Sequence, residues 1–220
     1  MMDSLREDDL KNAVLHNQHL FAHLGDLGKS VILYEKKISK RVISDCLLLS
    51  SKQGIIGIEI KTDADTTKRL RHQLYGYART CDYVYVLCHD NKVAPVKDVI
   101  KELGYDFVGI ITYEQFENEP LLGVIHEPRH SPYTNHVNYC DLLWKSEIRQ
   151  VLDTATHTAH RERYRNLKDQ FYTLFGNKGT HVIAQIYANG LTDPNHLLQR
   201  YQFGDTYIHD TTFREGEYHK

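Results

Sequence analysis

Two acidic residues and one lysine stand in short apolar segments of the chain, where a charged side chain is costly to bury. Asp45 lies within RVISDCLLLSS, and Glu59 and Lys61 close the run GIIGIEIK. Both segments are rich in Val, Ile and Leu, which predicts two β-strands. Because side chains alternate between the two faces of a strand, Glu59 and Lys61 point to the same side.

The connection between these two strands, Ser51-Lys52-Gln53-Gly54, is short enough for a hairpin. In such a hairpin Asp45 presents a second carboxylate beside Glu59 and Lys61. Carboxylates in an apolar setting are costly unless a cation lies between them, and oxygen ligands suit a hard divalent ion such as Mg²⁺ or Mn²⁺. The sequence therefore predicts a divalent metal site on two adjacent strands.

The order of these residues along the chain resembles the PD-(D/E)XK nuclease superfamily. Asp45 comes first, Glu59-Ile60-Lys61 follows, and Gln73 and Tyr77 stand on the next predicted helix, where Gln-x-x-x-Tyr is similar to the RecB-type branch. Ser44 replaces the Pro of the superfamily name, a position that varies among members. The resemblance implies an α/β, restriction-endonuclease-like mixed sheet flanked by helices, with a nuclease-like core over residues 1–112.

The resemblance also implies a function and roles for individual residues. It predicts a Mg²⁺- or Mn²⁺-dependent nuclease, an endonuclease that hydrolyses phosphodiester bonds, with DNA as the expected substrate, in a repair, restriction or phage context. Asp45, Glu59 and the backbone carbonyl of Ile60 would hold the ion, Lys61 would position water or stabilise the transition state, and Gln73 would hold a water or a phosphate oxygen. The alternative is a catalytically silent module on the same fold that binds nucleic acid or a partner.

Three further residues are candidates for the same site. Glu7 matches an extra active-site Glu on the first helix of some superfamily members, but Ser4-Leu5-Arg6-Glu7 also reads as a helix capping box. Glu35 ends a predicted strand from Val31 and could ligate a second metal, orient a water or simply be solvated. Tyr77 shares a helical face with Gln73 and could contact a nucleic-acid backbone or pack on the sheet rim.

Basic residues near these elements are candidate phosphate contacts. Lys40 and Arg41 belong to a cluster with Lys36 and Lys37 on the turn before the Asp45 strand, and such lysines also serve as edge protection. Lys68 and Arg69 lie at the start of the helix that carries Gln73, which is predicted to run to about Thr80. We therefore expect Lys40, Arg41, Lys68 and Arg69 to contact nucleic acid.

The segment His126-Glu127-Pro128-Arg129-His130 matches H-E-x-x-H, the helical zinc-protease pattern. Pro128 lies inside the turn that would bring the two histidines together, lacks an amide hydrogen and clashes with the preceding turn. Residues 113–137 are therefore predicted as a loop or hairpin arm, with Arg129 and His130 as candidate substrate contacts. A zinc hydrolase is the weakest of the three functional interpretations.

The rest of the chain predicts the surrounding architecture. Strand, helix and strand patterns over residues 82–112 predict parallel pairing at one side of the sheet. Residues 138–220 predict a helical extension packed on the core, with Trp144 and Ile148 in the apolar stripe of its first helix. A last short helix is predicted from Asp193 to Tyr201, followed by a loosely ordered tail.

Composition limits the class of protein. Hydrophobic residues make up 41% and charged residues 25%, values typical of a globular protein. A net charge of −2 argues against a protein that coats nucleic acid without specificity. The four cysteines show no C-x-x-C spacing, which predicts free thiols. The chain lacks a long apolar run, so we expect a cytoplasmic protein without a membrane partner; a homodimer is compatible with the pattern.

Overall fold

A computed structural model describes residues 5–39, 42–117, 119–191 and 200–202. Within these ranges the chain forms seven α-helices: α1 (Glu7–His16), α2 (Leu70–Thr80), α3 (Val93–Leu103), α4 (His136–Tyr139), α5 (Lys145–Thr156), α6 (Tyr164–Phe175) and α7 (Gly179–Ala188). The same ranges contain seven strands: β1 (Ser30–Lys37), β2 (Ile43–Ser50), β3 (Gly54–Lys61), β4 (Tyr83–His89), β5 (Gly109–Phe116), β6 (Glu119–His126) and β7 (Arg200–Gln202).

All seven strands form one mixed sheet in the order β6-β5-β4-β3-β2-β1-β7. β3, β4 and β5 are parallel neighbours, and the other adjacent pairs are antiparallel. The parallel pairs follow from the strand–helix–strand connections through α2 and α3, as the sequence predicts. The mixed α/β fold with a helical C-terminal stretch is therefore confirmed.

β2 and β3 form the predicted hairpin, with a register that runs from Ser50 opposite Gly54 to Cys46 opposite Ile58. Gly54 has a φ of +78°, a left-handed conformation that glycine adopts without a Cβ clash. All eight residues of β3 are buried, because the strand lies inside the sheet and helices cover both of its faces. The central strand thus places polar side chains where water has little access.

Each face of the sheet packs against its own set of helices. On one face, Leu47 and Ile55 share an apolar cluster with side chains of α2, α3, α5, α6 and α7. On the other face, Leu48 and Ile58 pack with α1 and the 3-10 turn Gln18–Leu24. Because Phe171 of α6 and Tyr187 of α7 belong to the first cluster, the C-terminal helices are part of the same core as the hairpin.

Several local predictions need correction. α1 ends at His16, earlier than the apolar pattern indicates, and a 3-10 turn follows. Trp144 is 42% exposed, because α5 begins after it and its side chain does not join the apolar stripe. Arg200–Gln202 pairs with β1 as a strand, not as the end of a helix. Ser4, the start of the predicted last helix at Asp193 and the tail lie outside the described residues.

The prediction of free thiols is confirmed. All four cysteines are free and buried. Among the described residues, none of the helices combines the length and the apolar content that a membrane crossing requires.

Candidate functional site

The β2–β3 hairpin brings the two predicted carboxylates together. The backbone pairing of the two strands ends at Cys46 and Ile58, one residue short of Asp45 and Glu59. Beyond that point a side chain connects the two strands: Oδ2 of Asp45 accepts a hydrogen bond of 2.7 Å from the backbone N–H of Ile60. Asp45 is therefore held against β3 at the residue that follows Glu59.

Glu59 and Lys61 form a buried ion pair on β3. Their side chains are 0% and 6% exposed, and the Lys61 ammonium contacts Glu59 Oε1. Nζ of Lys61 also donates to the backbone carbonyl of Ile60 at 3.1 Å. The second oxygen, Glu59 Oε2, is buried and has no hydrogen-bond partner in the described part of the chain. One acceptor at the centre of the site is thus unsatisfied.

The surroundings of Asp45 and Glu59 disfavour the ionised form of both carboxyl groups. Burial, followed by the charge of Glu59, raises the pKa of Asp45 to about 8, against the opposing effect of the Ile60 hydrogen bond. Burial also raises the pKa of Glu59, although Lys61 and, to a smaller extent, the nearby Tyr77 hydroxyl oppose that shift. A single lysine therefore leaves the pair short of positive charge.

α2 places the Gln-x-x-x-Tyr element beside the hairpin. The Tyr77 hydroxyl accepts a hydrogen bond of 2.9 Å from the Asp45 backbone N–H and donates one of 3.2 Å to the Ile58 carbonyl. Tyr77 is fully buried, so its position supports the backbone of Asp45, and the predicted substrate contact stays a prediction. Gln73 is half-buried, and its Oε1 is enclosed with no hydrogen-bond partner among the residues that the structure describes.

The carboxylates of Glu7 and Glu35 both contact the ammonium group of Lys11, which is not among the predicted site residues. Lys11 Nζ lies 2.8 Å from Glu7 Oε1 and contacts Glu35. The negative charge of Glu7 contributes to the raised pKa of Asp45, which shows that α1 begins near the site. The Glu7–Lys11 spacing of four residues is the signal that could have revealed this pair.

Glu35 interrupts β1 at the level of Asp45. Tyr34 pairs with Cys46 and Lys36 with Ser44, so Glu35 falls between them with a φ of +51°. A non-glycine residue in that conformation carries backbone strain. Its exposed carboxylate is turned to Lys11, and its predicted role as a ligand of a second metal stays a prediction.

Of the four basic residues predicted to contact nucleic acid, two lie within the described residues and two lie outside them. Lys68 and Arg69 are exposed in the 3-10 turn that leads into α2. Lys40 and Arg41 lie outside the described residues.

The H-E-x-x-H segment does not form a zinc site. His126 ends strand β6 and contacts the Val108 carbonyl, whereas His130 contacts Asp82 Oδ1 at 3.1 Å. The absence of a helix here agrees with the prediction from Pro128. Within residues 113–137 the chain completes β5 and forms β6, which pairs antiparallel with β5.

The oxygen-rich donor set suits a hard cation. Among the described residues there is no cluster of three or more His, Cys, Asp or Glu side chains arranged for a metal. The candidate site instead combines two carboxylates with a backbone carbonyl, and the buried, unpartnered Glu59 Oε2 marks where charge is needed. Mg²⁺ and Mn²⁺ accept such partial protein shells because water and substrate oxygens complete them.

Comparison with known proteins gives one family. The family model described as Bacteriophage P4 protein cII matches residues 1–188. "Protein cII" of Enterobacteria phage P4 is 26% identical over 168 residues, which cover 76% of this chain and 60% of the relative. A solved structure described as SPO1766 protein of unknown function from Silicibacter pomeroyi is 15% identical, covers 73% of this chain and 97% of its own, and has a TM-score of 0.39. On the family match over most of its length, the chain belongs to the bacteriophage P4 protein cII family.

Proposed function

We propose that this protein is a Mg²⁺- or Mn²⁺-dependent nuclease that hydrolyses phosphodiester bonds in DNA. The observation that carries the proposal is the meeting of Asp45, Glu59 and Lys61 at the end of the hairpin, with a buried Glu59 oxygen left without a partner. The order of these residues and of Gln73 along the chain, which resembles PD-(D/E)XK nucleases, supports the same reaction class.

Asp45, Glu59 and the Ile60 carbonyl are the groups that would hold the ion. When bound, the ion supplies Lewis-acid charge and lowers the pKa of water. Lys61 is fixed by Glu59 and the Ile60 carbonyl, so its ammonium is oriented before substrate arrives and can stabilise negative charge on a phosphate oxygen. Tyr77 fixes the backbone of Asp45, which keeps the carboxylate in place.

Gln73 offers a second polar group to the site. Its Oε1 is enclosed without a partner, and an amide oxygen of this kind accepts a hydrogen bond from a water molecule. In the proposed reaction Gln73 orients the attacking water, and its removal is expected to lower the rate without loss of the other contacts.

The test is cleavage of supercoiled plasmid in Mg²⁺, Mn²⁺ or chelator, run beside single-stranded DNA and RNA. Asp45→Ala, Glu59→Ala and Lys61→Ala are each expected to reduce metal-dependent cleavage by about 10²-fold or more. Asp26→Ala and Lys52→Ala are matched controls, because this exposed carboxylate–lysine pair lies at the opposite end of the hairpin, and we expect them to keep wild-type activity.

Retained cleavage in any two of the three site variants, with circular dichroism showing intact folds, would contradict the proposal. Metal binding without cleavage of any of the three substrates would also contradict it and would favour the silent binding module.

A further inference from the structure

A cleft with basic and aromatic walls lies between the end of β1 and the start of α5. Its volume is about 610 Å³. Three lysines and two aromatic residues line it together with one acid: Lys36, Lys37, Lys145, Trp144, Tyr164 and Asp141. The cleft is separate from the Asp45 and Glu59 carboxylates, neither of which lines it.

The cleft carries an excess of positive charge. Its acid, Asp141, already contacts the ammonium of Lys168. Burial lowers the pKa of Lys36 to about 8, although the charge of Glu147 opposes this shift. A bound anion would therefore stabilise the ammonium of Lys36, which has lost much of its water. Lys37 and Lys145 are exposed and free to turn toward the same anion.

The aromatic walls of the cleft are held by the backbone. Trp144 is the N-cap residue of α5, and its backbone N–H donates to Glu147 Oε2 at 2.6 Å. The residue as a whole is 42% exposed. The Tyr164 hydroxyl donates its one hydrogen to the Leu143 carbonyl at 2.6 Å, and it also lies 3.0 Å from the Cys140 carbonyl oxygen. An exposed indole on a fixed backbone beside lysines is the combination on which single-stranded nucleic acids stack.

We propose that this cleft binds a nucleotide unit of single-stranded nucleic acid, with the base stacked on Trp144 and the phosphates held by Lys36, Lys37 and Lys145. The inference rests on the proposed function for its substrate class. The cleft and the carboxylates share strand elements, because Lys36 pairs across β1 and β2 with Ser44, the residue before Asp45. The Ser44 hydroxyl donates to the Lys36 carbonyl at 2.9 Å, which fixes that junction.

Trp144 is the single tryptophan of the chain, so tryptophan fluorescence, excited at a wavelength that tyrosine does not absorb, reports on this cleft alone. The experiment titrates an oligothymidylate into full-length Asp45→Asn protein in chelator, where cleavage is excluded. We expect saturable quenching that weakens as salt rises, because phosphate contacts release counterions. Inorganic phosphate and duplex of the same length serve as the other two arms and are expected to quench far less.

Variants separate the two parts of the contact. Lys37→Glu combined with Lys145→Glu should weaken binding about 10-fold or more, whereas the matched pair Lys97→Glu and Lys101→Glu on exposed α3 positions should leave it unchanged. Trp144→Leu, followed by anisotropy of a labelled oligonucleotide, should weaken binding about 10-fold, and Trp144→Phe should retain most of it. Thermal unfolding checks that each variant is folded.

The outcomes distinguish this inference from the proposed function. Equal quenching by phosphate alone, or affinity unaffected by the cleft variants, would overturn the cleft as a strand-binding site while metal-dependent cleavage could still stand. Loss of oligonucleotide binding in the cleft variants, together with no cleavage by the wild type, would support the cleft and overturn the nuclease.

Discussion

The two ends of strand β3 each hold a carboxylate, and the two carboxylates are satisfied to different degrees. At the start of β3, Asp82 Oδ2 accepts the Ile55 N–H at 2.7 Å, and its Oδ1 accepts the Thr180 hydroxyl at 3.0 Å and contacts His130 at 3.1 Å. At the far end, Asp45 accepts the Ile60 N–H, but the neighbouring Glu59 keeps a buried oxygen for which the described part of the chain supplies no hydrogen-bond partner.

This difference separates a structural carboxylate from a candidate catalytic one. Asp82 joins α7, the β2–β3 hairpin and the segment after β6, and each of its oxygens has a protein partner. Burial raises the pKa of both Asp45 and Glu59, and Lys61 only partly offsets these shifts, which leaves room for further positive charge. Removal of charge should therefore have opposite effects on stability at the two ends.

The largest expected effect is at the structural end. Asp82→Ala should lower the free energy of unfolding by about 3 kcal/mol, because the buried Ile55 N–H and Thr180 hydroxyl lose their acceptor. Urea unfolding in chelator measures this change, and exposed Asp26→Ala is the control. A loss below about 1 kcal/mol would remove the distinction between the two ends.

Asp45→Asn in chelator is expected to raise the free energy of unfolding, in contrast to Asp82→Ala. The folded-state pKa of Asp45 is raised to about 8, so ionisation costs stability increasingly as pH rises from about 4 to 8. The asparagine retains an acceptor for Ile60 and avoids that cost, which predicts a gain of about 2 kcal/mol at pH 8 and little difference near pH 4. Urea unfolding across that range measures it, and a destabilised variant at pH 8 would contradict the electrostatic interpretation.

A smaller effect is expected for Thr180→Val. Asp82 keeps the Ile55 and His130 contacts in this variant. The loss of the Thr180 hydrogen bond to Asp82, together with the longer 3.3 Å contact with His181 Nδ1, is expected to cost about 1 kcal/mol. The measurement is the same urea titration, with Thr154→Val on exposed α5 as the control. An effect as large as that of Asp82→Ala would show that α7 docking depends on the hydroxyl alone.

The smallest effect is expected for His130→Ala. The hydrogen bond with Asp82 raises the pKa of His130, so its stabilisation is fully present below the unfolded-state pKa and is lost as pH rises through the folded-state value. The side chain is 59% exposed, and solvent screening limits the gain to less than about 1 kcal/mol. Thermal unfolding at pH 5.5 and 8.5 should show the difference only at the lower pH; a constant difference would point to packing instead.

The sequence predicts the candidate catalytic end, at Asp45 and Glu59, better than the structural end, at Asp82. Strand alternation and a short turn are local rules, and they suffice to place Asp45 beside Glu59 and Lys61. Asp82 acquires its role only when Thr180 and His130 arrive from 98 and 48 residues away, which no local pattern encodes. Trp144 is similar: its apolar character predicts burial, but the helix starts one residue later and leaves it at the cleft.

The most direct test of the candidate site is calorimetric titration of Mn²⁺ into chelator-stripped protein. The unpartnered Glu59 oxygen and the raised pKa of Asp45 predict one site per chain in the wild type and in Asp26→Asn, and its loss in Glu59→Gln and Asp45→Asn. No binding to the wild type, or equal binding to Glu59→Gln, would contradict the assignment of these two carboxylates as a metal centre.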